Sequence, residues 1–474
     1  MLTSGRELSG TILVPLTRCF ISAYKLRRHC TFAHTIMTIQ ILQFILSLSL
    51  LVVLHELGHF IPAVAFKTRV EKFYLFFDPW FSLIKTKIRG TEVGIGWLPL
   101  GGYVKIAGMV DESMDSEQMK QPAQPWEFRS KPAWQRLIIL LGGVTVNFIV
   151  AIIIYSGMMA YYGESYVAND SLKDGIWVND LGRDLGLQTG DRILAVDDKI
   201  LEKFNEVNIE ILLGSGKDMS IQRGSEVLTL PITTAFVKSA IESQAPWMFP
   251  RVPYYVKSFS EDSPAMIAGL QVGDQITGLN GHSMPYFDQF LDSIPAYAGQ
   301  TVQLQFLRAG EAQEISFSVT DSGRMGVYWQ DNVADLFPLT TKKYSGVDAV
   351  TEGYHQAVSK LVYYVRQVKL MFQPETGAYK EAGGFYTIMK QYPTEWDWER
   401  FWNFTAFLSL ALGFLNVLPI PALDGGHATF VIIEMVTGKV PSTRVMEVAQ
   451  MIGFFLLLGL LLLVNGNDVV KMFQ

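Results

Sequence analysis

Cysteine is almost missing from this chain. Its 474 residues hold two, Cys19 and Cys30, both near the N-terminus. They offer no disulfide framework and no cysteine-based metal site. Histidine is scarce as well, with seven in all, so any imidazole chemistry must come from few positions. The formal net charge is −6, and no basic stripe with interleaved aromatics occurs. That excludes the electrostatic footprint of a nucleic-acid binder.

Apolar residues are abundant. They make up 49% of the sequence, against 18% charged, a mixture that fits membrane spans alternating with soluble domains. The length is too great for one ordinary core and predicts two to four units. Four apolar runs can each cross a bilayer, at residues 37–66, 136–162, 401–427 and 448–464. The fold class expected is a multi-pass α-helical membrane protein of four transmembrane helices, with a small membrane-associated β-sheet and two α+β domains. Basic residues crowd between the first two runs, from Lys67 to Lys131, and Lys439 and Arg444 lie between the last two. Both stretches are therefore expected in the cytoplasm, with 163–400 and both termini outside. Residues 1–36 conflict with that, since they carry Arg6, Arg18, Lys25, Arg27 and Arg28 without an apolar run. They read as an extension from a start placed too early, with Met37 as the true start, or else as a targeting segment.

Residues 67–135 form a β-rich cytoplasmic segment. Phe73–Phe77, Phe81–Ile88, Thr91–Leu98 and Gly102–Ala107 read as strands separated by Asp78-Pro79, Gly90 and Pro99. Such a sheet is either a surface feature or a wall near the active-site mouth. Further on, a pattern G-L-Q-x-G-D-x-I occurs twice, from Gly186 and from Gly269. Each copy continues into an apolar strand and an Asx-rich turn, which resembles the PDZ fold and suggests one such domain over 163–250 and another over 251–335. The second copy begins its short helix with Ser263-Pro264-Ala265; the first lacks those residues and looks abbreviated. Each domain either binds peptide C-termini by strand addition or only spaces and shields. Residues 346–372 read as an amphipathic helix, from Val347, Tyr354, Leu361 and Val368 recurring every seven residues. Packing, or a place on the membrane surface, would suit it.

The chemistry sits at the end of the first run. His55-Glu56-Leu57-Gly58-His59 places two imidazoles one helical turn apart, able to hold one zinc ion with Glu56 beside it as general base. Charged and polar groups there are costly to keep without a role. A catalytic zinc needs a third protein ligand. Asp424 is the best candidate, in Asn416-Val417-Leu418-Pro419-Ile420-Pro421-Ala422-Leu423-Asp424-Gly425-Gly426-His427. Two prolines break the run and free backbone that must line a cavity or be covered. His427 is the other possibility, as ligand, as a partner orienting Asp424, or as a plain residue at the membrane edge. The charge distribution puts His59 and Asp424 on one side of the membrane.

Taken together, H-E-x-x-H in the first run, N-x-x-P-x-P-x-L-D-G in the third, and tandem PDZ-like units between the second and third resemble the site-2 protease family. The regulator of sigma-E protease type is the nearest form. Pro99-Leu100-Gly101-Gly102-Tyr103-Val104-Lys105, Gly142-Gly143 and Asn147 resemble it too. The resemblance covers Met37 to about Lys471. It implies an intramembrane zinc endopeptidase of a bacterial inner membrane, with His55, His59 and Asp424 as metal ligands. Glu56 would activate water and protonate the leaving amine, and Asn416 would steady the substrate backbone or the oxyanion. The partners implied are the lipid bilayer and single-pass membrane proteins already shortened by another protease, such as an anti-sigma factor or a remnant signal peptide. The external domains would then exclude bulky ectodomains. Two rivals remain at this point. One is a PDZ-bearing membrane scaffold with a non-catalytic metal site, which would not need Glu56. The other is a zinc transporter, which would need polar residues along several runs.

Overall fold

The computed structural model describes residues 16–99, 101–109, 121–214, 217–243, 246–330 and 336–473, with side chains from Met37 onward. The reading of residues 1–36 as an extension lies outside these described side chains. The chain divides into two compact units, 1–158 with 383–474 and 159–382.

The first unit is built on long helices. The motif lies in a helix spanning Leu16–Ala65. Among the described residues, three helices are long and apolar enough to cross a membrane: Met37–Ala65, Ala133–Tyr161 and Arg444–Met472, each of 29 residues. At about 1.5 Å per residue these exceed a hydrocarbon core of about 30 Å. Polar residues inside the first helix face protein. Gln40 Nε2 donates to the Tyr392 carbonyl (2.8 Å) and Gln43 Nε2 to that of Pro393 (2.9 Å). The third run, expected to break at its two prolines, is two helices, Trp398–Val417 and Asp424–Thr437. Pro419 and Pro421 lack backbone N–H groups and clash with the preceding turn, so the chain leaves the helix at Leu418. The last helix, Thr443–Met472, extends beyond the expected 448–464 at both ends. Its Asp468 accepts bonds from the Tyr386 and Thr387 backbones, pinning the short helix Phe385–Lys390.

Between the first two long helices lies a four-stranded sheet of β1 (Val70–Leu75), β2 (Ile84–Ile88), β3 (Thr91–Ile95) and β4 (Tyr103–Ile106), in the order β2-β3-β1-β4. β1 and β3 run parallel; the other pairs are antiparallel. β2, β3 and β4 are shorter than the apolar runs suggested, and β1 starts three residues before its run. Phe76 falls outside β1 because its backbone turns to φ +66°. Ala63, Val70, Ile106, Ile139, Leu140, Ala428 and Val431 form one buried cluster. It ties the motif helix, the sheet, the second helix and Asp424–Thr437 together.

The second unit holds two cores. One is built around Val178, Leu187, Ile193, Val207 and Ile221, the other around Tyr254, Leu270, Ile276, Phe290 and Leu304. The repeated G-D has one physical job in both copies. Asp191 is buried, accepts from Gln188 N (2.8 Å) and pairs with Arg223 Nη2 (2.8 Å). Asp274 is buried likewise, accepts from Gln271 N (2.8 Å) and pairs with Arg308 Nη2 (2.6 Å). The first copy is not abbreviated at its helix. Asn179 caps Asp180–Asp184 through a bond from Gly182 N (3.1 Å), the task Ser263 performs for Pro264–Ile267. Asparagine and serine are equivalent at that position.

The helix Gly346–Met371 buries only its small residues Ala349, Gly353 and Ala357. Val347, Val350, Tyr354 and Val358 are exposed. Its polar side carries the contacts: Gln356 donates to Glu164 (2.9 Å), and Tyr363 (3.1 Å) and Arg366 (2.8 Å) donate to buried Glu210.

Candidate metal centre

Positions 55 and 59 share one helix face because four residues make about one turn. Both imidazoles are buried. His55 Nε2 lies 3.2 Å from His59 Nε2, and Asp424 Oδ2 lies 3.2 Å from the first and 3.3 Å from the second. A tetrahedral ion with bonds of about 2.0–2.1 Å holds its ligand atoms about 3.3 Å apart. The three donors already form a triangle of that edge. Among the described residues no other group of three or more His, Cys, Asp or Glu could hold an ion.

Protonation points the same way. His59 Nδ1 donates to the Ile139 carbonyl (2.8 Å), which leaves a lone pair on Nε2 of the neutral ring. That lone pair faces the buried Asp424 Oδ2 at 3.3 Å. Such an approach is repulsive unless a cation, either a proton on the imidazole or a metal ion, stands between them. Two imidazoles and one carboxylate are a donor set that could hold zinc.

His55 is held by Asn147, whose Nδ2 lies 3.0 Å from His55 Nδ1. Asn147 is fully buried and its Oδ1 has no partner among the described residues. A half-turn of the carboxamide, whose two ends are assigned by their bonds, lets His55 Nδ1–H donate to Oδ1. His55 then has the tautomer of His59. Asn416 Nδ2 lies 3.4 Å from His55 Nε2, so Asn416 borders the donor set as well.

Glycine brings the second helix this close. A Cβ on Gly142 would lie 2.0 Å from the Gly58 carbonyl oxygen, and one on Gly143 would lie 2.4 Å from His59 Nε2. Asp424 comes from the broken segment. Ala422 takes a left-handed φ of +78°, a strained state for a residue with a Cβ, and Asp424 then opens the next helix in its first turn. The N-terminal end of the helix dipole favours a carboxylate there.

Glu56 joins His55, His59 and Asp424 in lining a cavity of about 670 Å³. The sheet forms part of the wall. A Cβ on Gly102 would touch Glu56 Cγ at 3.4 Å, and Lys72, Tyr103 and Lys105 line the cavity. Burial and a bond to Asp78 Oδ1 (2.7 Å) push the Tyr103 phenol well above its usual pKa, so it stays protonated. His427 lines the cavity outside the donor set. Gln450 also lines it, and the sequence reading passed over that residue. Its one signal was an amide within a run otherwise apolar.

The sequence pattern of peptidase family M50 matches residues 43–460. The regulator of sigma E protease of Haemophilus influenzae is 28% identical, over 90% of this chain and 98% of its own. That of Salmonella typhi is 26% identical, over 90% and 98%. Among solved structures, the PDZ domain of the SdrC-like protein of Listeria innocua is similar at 30% identity. It covers 17% of this chain and 96% of its own, with a TM-score of 0.16.

Proposed function

The chain belongs to peptidase family M50, and from that premise we propose an intramembrane zinc endopeptidase whose ligands are His55, His59 and Asp424 and whose general base is Glu56. The observation that carries this reading is the triangle of donor atoms 3.2–3.3 Å on a side, in a cavity that Glu56 shares.

Zinc held there supplies a Lewis acid. Glu56 takes a proton from water as its oxygen attacks the peptide carbonyl carbon. It returns that proton to the amide nitrogen as the C–N bond breaks, leaving a carboxylic acid and an amine, which become carboxylate and ammonium as the second water proton passes from one to the other. Asn416 donates a hydrogen bond to the carbonyl oxygen as charge builds on it. Asn147 and the Ile139 carbonyl orient the two imidazoles.

A peptide bond in a membrane helix must first be unwound, and each freed N–H and C=O then needs a partner. Strand addition to the edge strand β4, whose Tyr103 and Val104 line the cavity, meets that need. The substrates proposed are single-pass membrane proteins, anti-sigma factors or remnant signal peptides, cut after an earlier protease has removed the ectodomain. The PDZ-like pair filters them by size and takes peptide C-termini. The broken segment 398–437 serves as the fourth membrane element. The enzyme sits in a bacterial inner membrane, with the metal centre toward the cytoplasm and the PDZ-like domains on the other side. Lys67 to Lys131 between the first two membrane helices support this orientation.

The test uses purified full-length protein in liposomes and a single-pass substrate lacking its ectodomain. Cleavage by the parent that disappears in Glu56→Gln and on zinc chelation is the expected result. A folded, zinc-loaded parent that cuts none of several such substrates would leave a membrane scaffold with a structural metal.

A further inference from the structure

The last long helix is lipid-like along most of its length, with only 11% of its apolar window buried. Gln450 is an exception. Its side chain is buried at 5% exposure, it lines the cavity beside the metal donors, and its Oε1 has no hydrogen-bond partner among the described residues. One turn on, Gly453 packs so tightly that a Cβ would lie 1.8 Å from the Pro421 carbonyl oxygen. Phe454 beside it reaches the same cavity. The helix therefore meets the broken segment here, and the amide side chain is held at the site by backbone contact.

An unpaired amide in a membrane interior costs free energy. The metal donors do not use it, and nothing in the proton transfers of Glu56 requires it. A primary carboxamide both donates and accepts, so it pairs with the N–H and C=O of an extended peptide. An unwound membrane substrate brings such unpaired groups to this cavity.

We propose that Gln450 is a substrate-binding residue that pairs through its carboxamide with the backbone of the unwound segment next to the scissile bond. The inference rests on the peptidase reading of the same cavity. Such a contact is made with ground state and transition state alike, so its loss raises KM and leaves kcat near the parent value.

Two experiments on the full-length chain, with Cys19 and Cys30 replaced by serine, decide the matter. In the first, Gln450→Leu is compared with the parent on the single-pass substrate. KM is expected to rise about three- to tenfold, the usual net worth of one hydrogen bond, with bound zinc unchanged. In the second, Gln450→Cys is placed in the Glu56→Gln background and oxidised with substrates carrying one cysteine at successive membrane positions. A cross-link confined to one or two positions flanking the cut is expected. A parent-like KM in Gln450→Leu, or no cross-link at any position, overturns the proposal. The cross-link is read without turnover, so it decides the role of Gln450 even if the parent proves inactive, an outcome that would count against the peptidase reading alone.

Discussion

Gly143→Ala tests the site through a single methyl group. The added carbon would stand 2.4 Å from His59 Nε2 and 2.6 Å from His55 Cε1. Unstrained contacts of this kind lie near 3.5 Å, so the overlap is about 1 Å. Neither imidazole can give way cheaply, because His59 is bonded to the Ile139 carbonyl and His55 to Asn147. The helices must separate, or the donor triangle must open, by about that distance. A misplacement of about 1 Å at a reacting centre costs about 100-fold in rate, or about 2.7 kcal/mol. Gly157 on the same helix is the control, since a Cβ there meets nothing within 4 Å. Gly143→Ala is expected to lose at least 100-fold in cleavage and to give up zinc to a weaker chelator, while Gly157→Ala keeps parent values for both. Zinc content by elemental analysis and initial cleavage rates in liposomes measure this. Parent-like zinc and rate in Gly143→Ala would refute the close crossing on which the site geometry depends.

Asn147→Leu keeps the bulk but frees the His55 ring, and zinc affinity is expected to fall about 10–100-fold in chelator competition; unchanged affinity would mean that His55 is oriented by something else. Acid should loosen the helix Gly346–Met371. Burial alone would raise the Glu210 pKa, but the ion pairs with Lys199 and Arg366 outweigh it and hold the carboxyl below its usual value. A depressed folded pKa means that the stabilisation is complete above the unfolded value of about 4.3 and fades as pH falls through the lower folded one. Amide protection along the helix, corrected for the intrinsic pH dependence of exchange, should therefore fall once pH drops below the unfolded carboxyl value, and Glu210→Gln should remove that fall. Equal pH dependence in both proteins would sink that account.

Much of the candidate site was legible because its signals are local. His55-Glu56 and His59 are one helical turn apart, and Pro419 and Pro421 announce a break just before Asp424. What was missed depends on partners far along the chain. Gln356 and Arg366 of the helix Gly346–Met371 pair with Glu164 and Glu210, contacts that an apolar heptad read alone does not show. Asn179 escaped notice because the Ser-Pro start of the second copy was taken as the template. Asn147 entered only through resemblance, since nothing local shows that its amide meets an imidazole on another helix.

The candidate metal donors lie far apart along the chain, and 369 residues separate Asp424 from His55. At roughly 5–20 residues per second, a ribosome needs about 20–70 s to pass from one to the other. During that interval the first helix can sit in the membrane with a general base and two imidazoles but without its carboxylate. A chain not yet extended to Asp424 is thus expected to be harmless to neighbouring membrane proteins, and cutting power arrives only after that residue is made. Products terminated before it share that inertness, so such errors in translation waste material without releasing an unregulated protease.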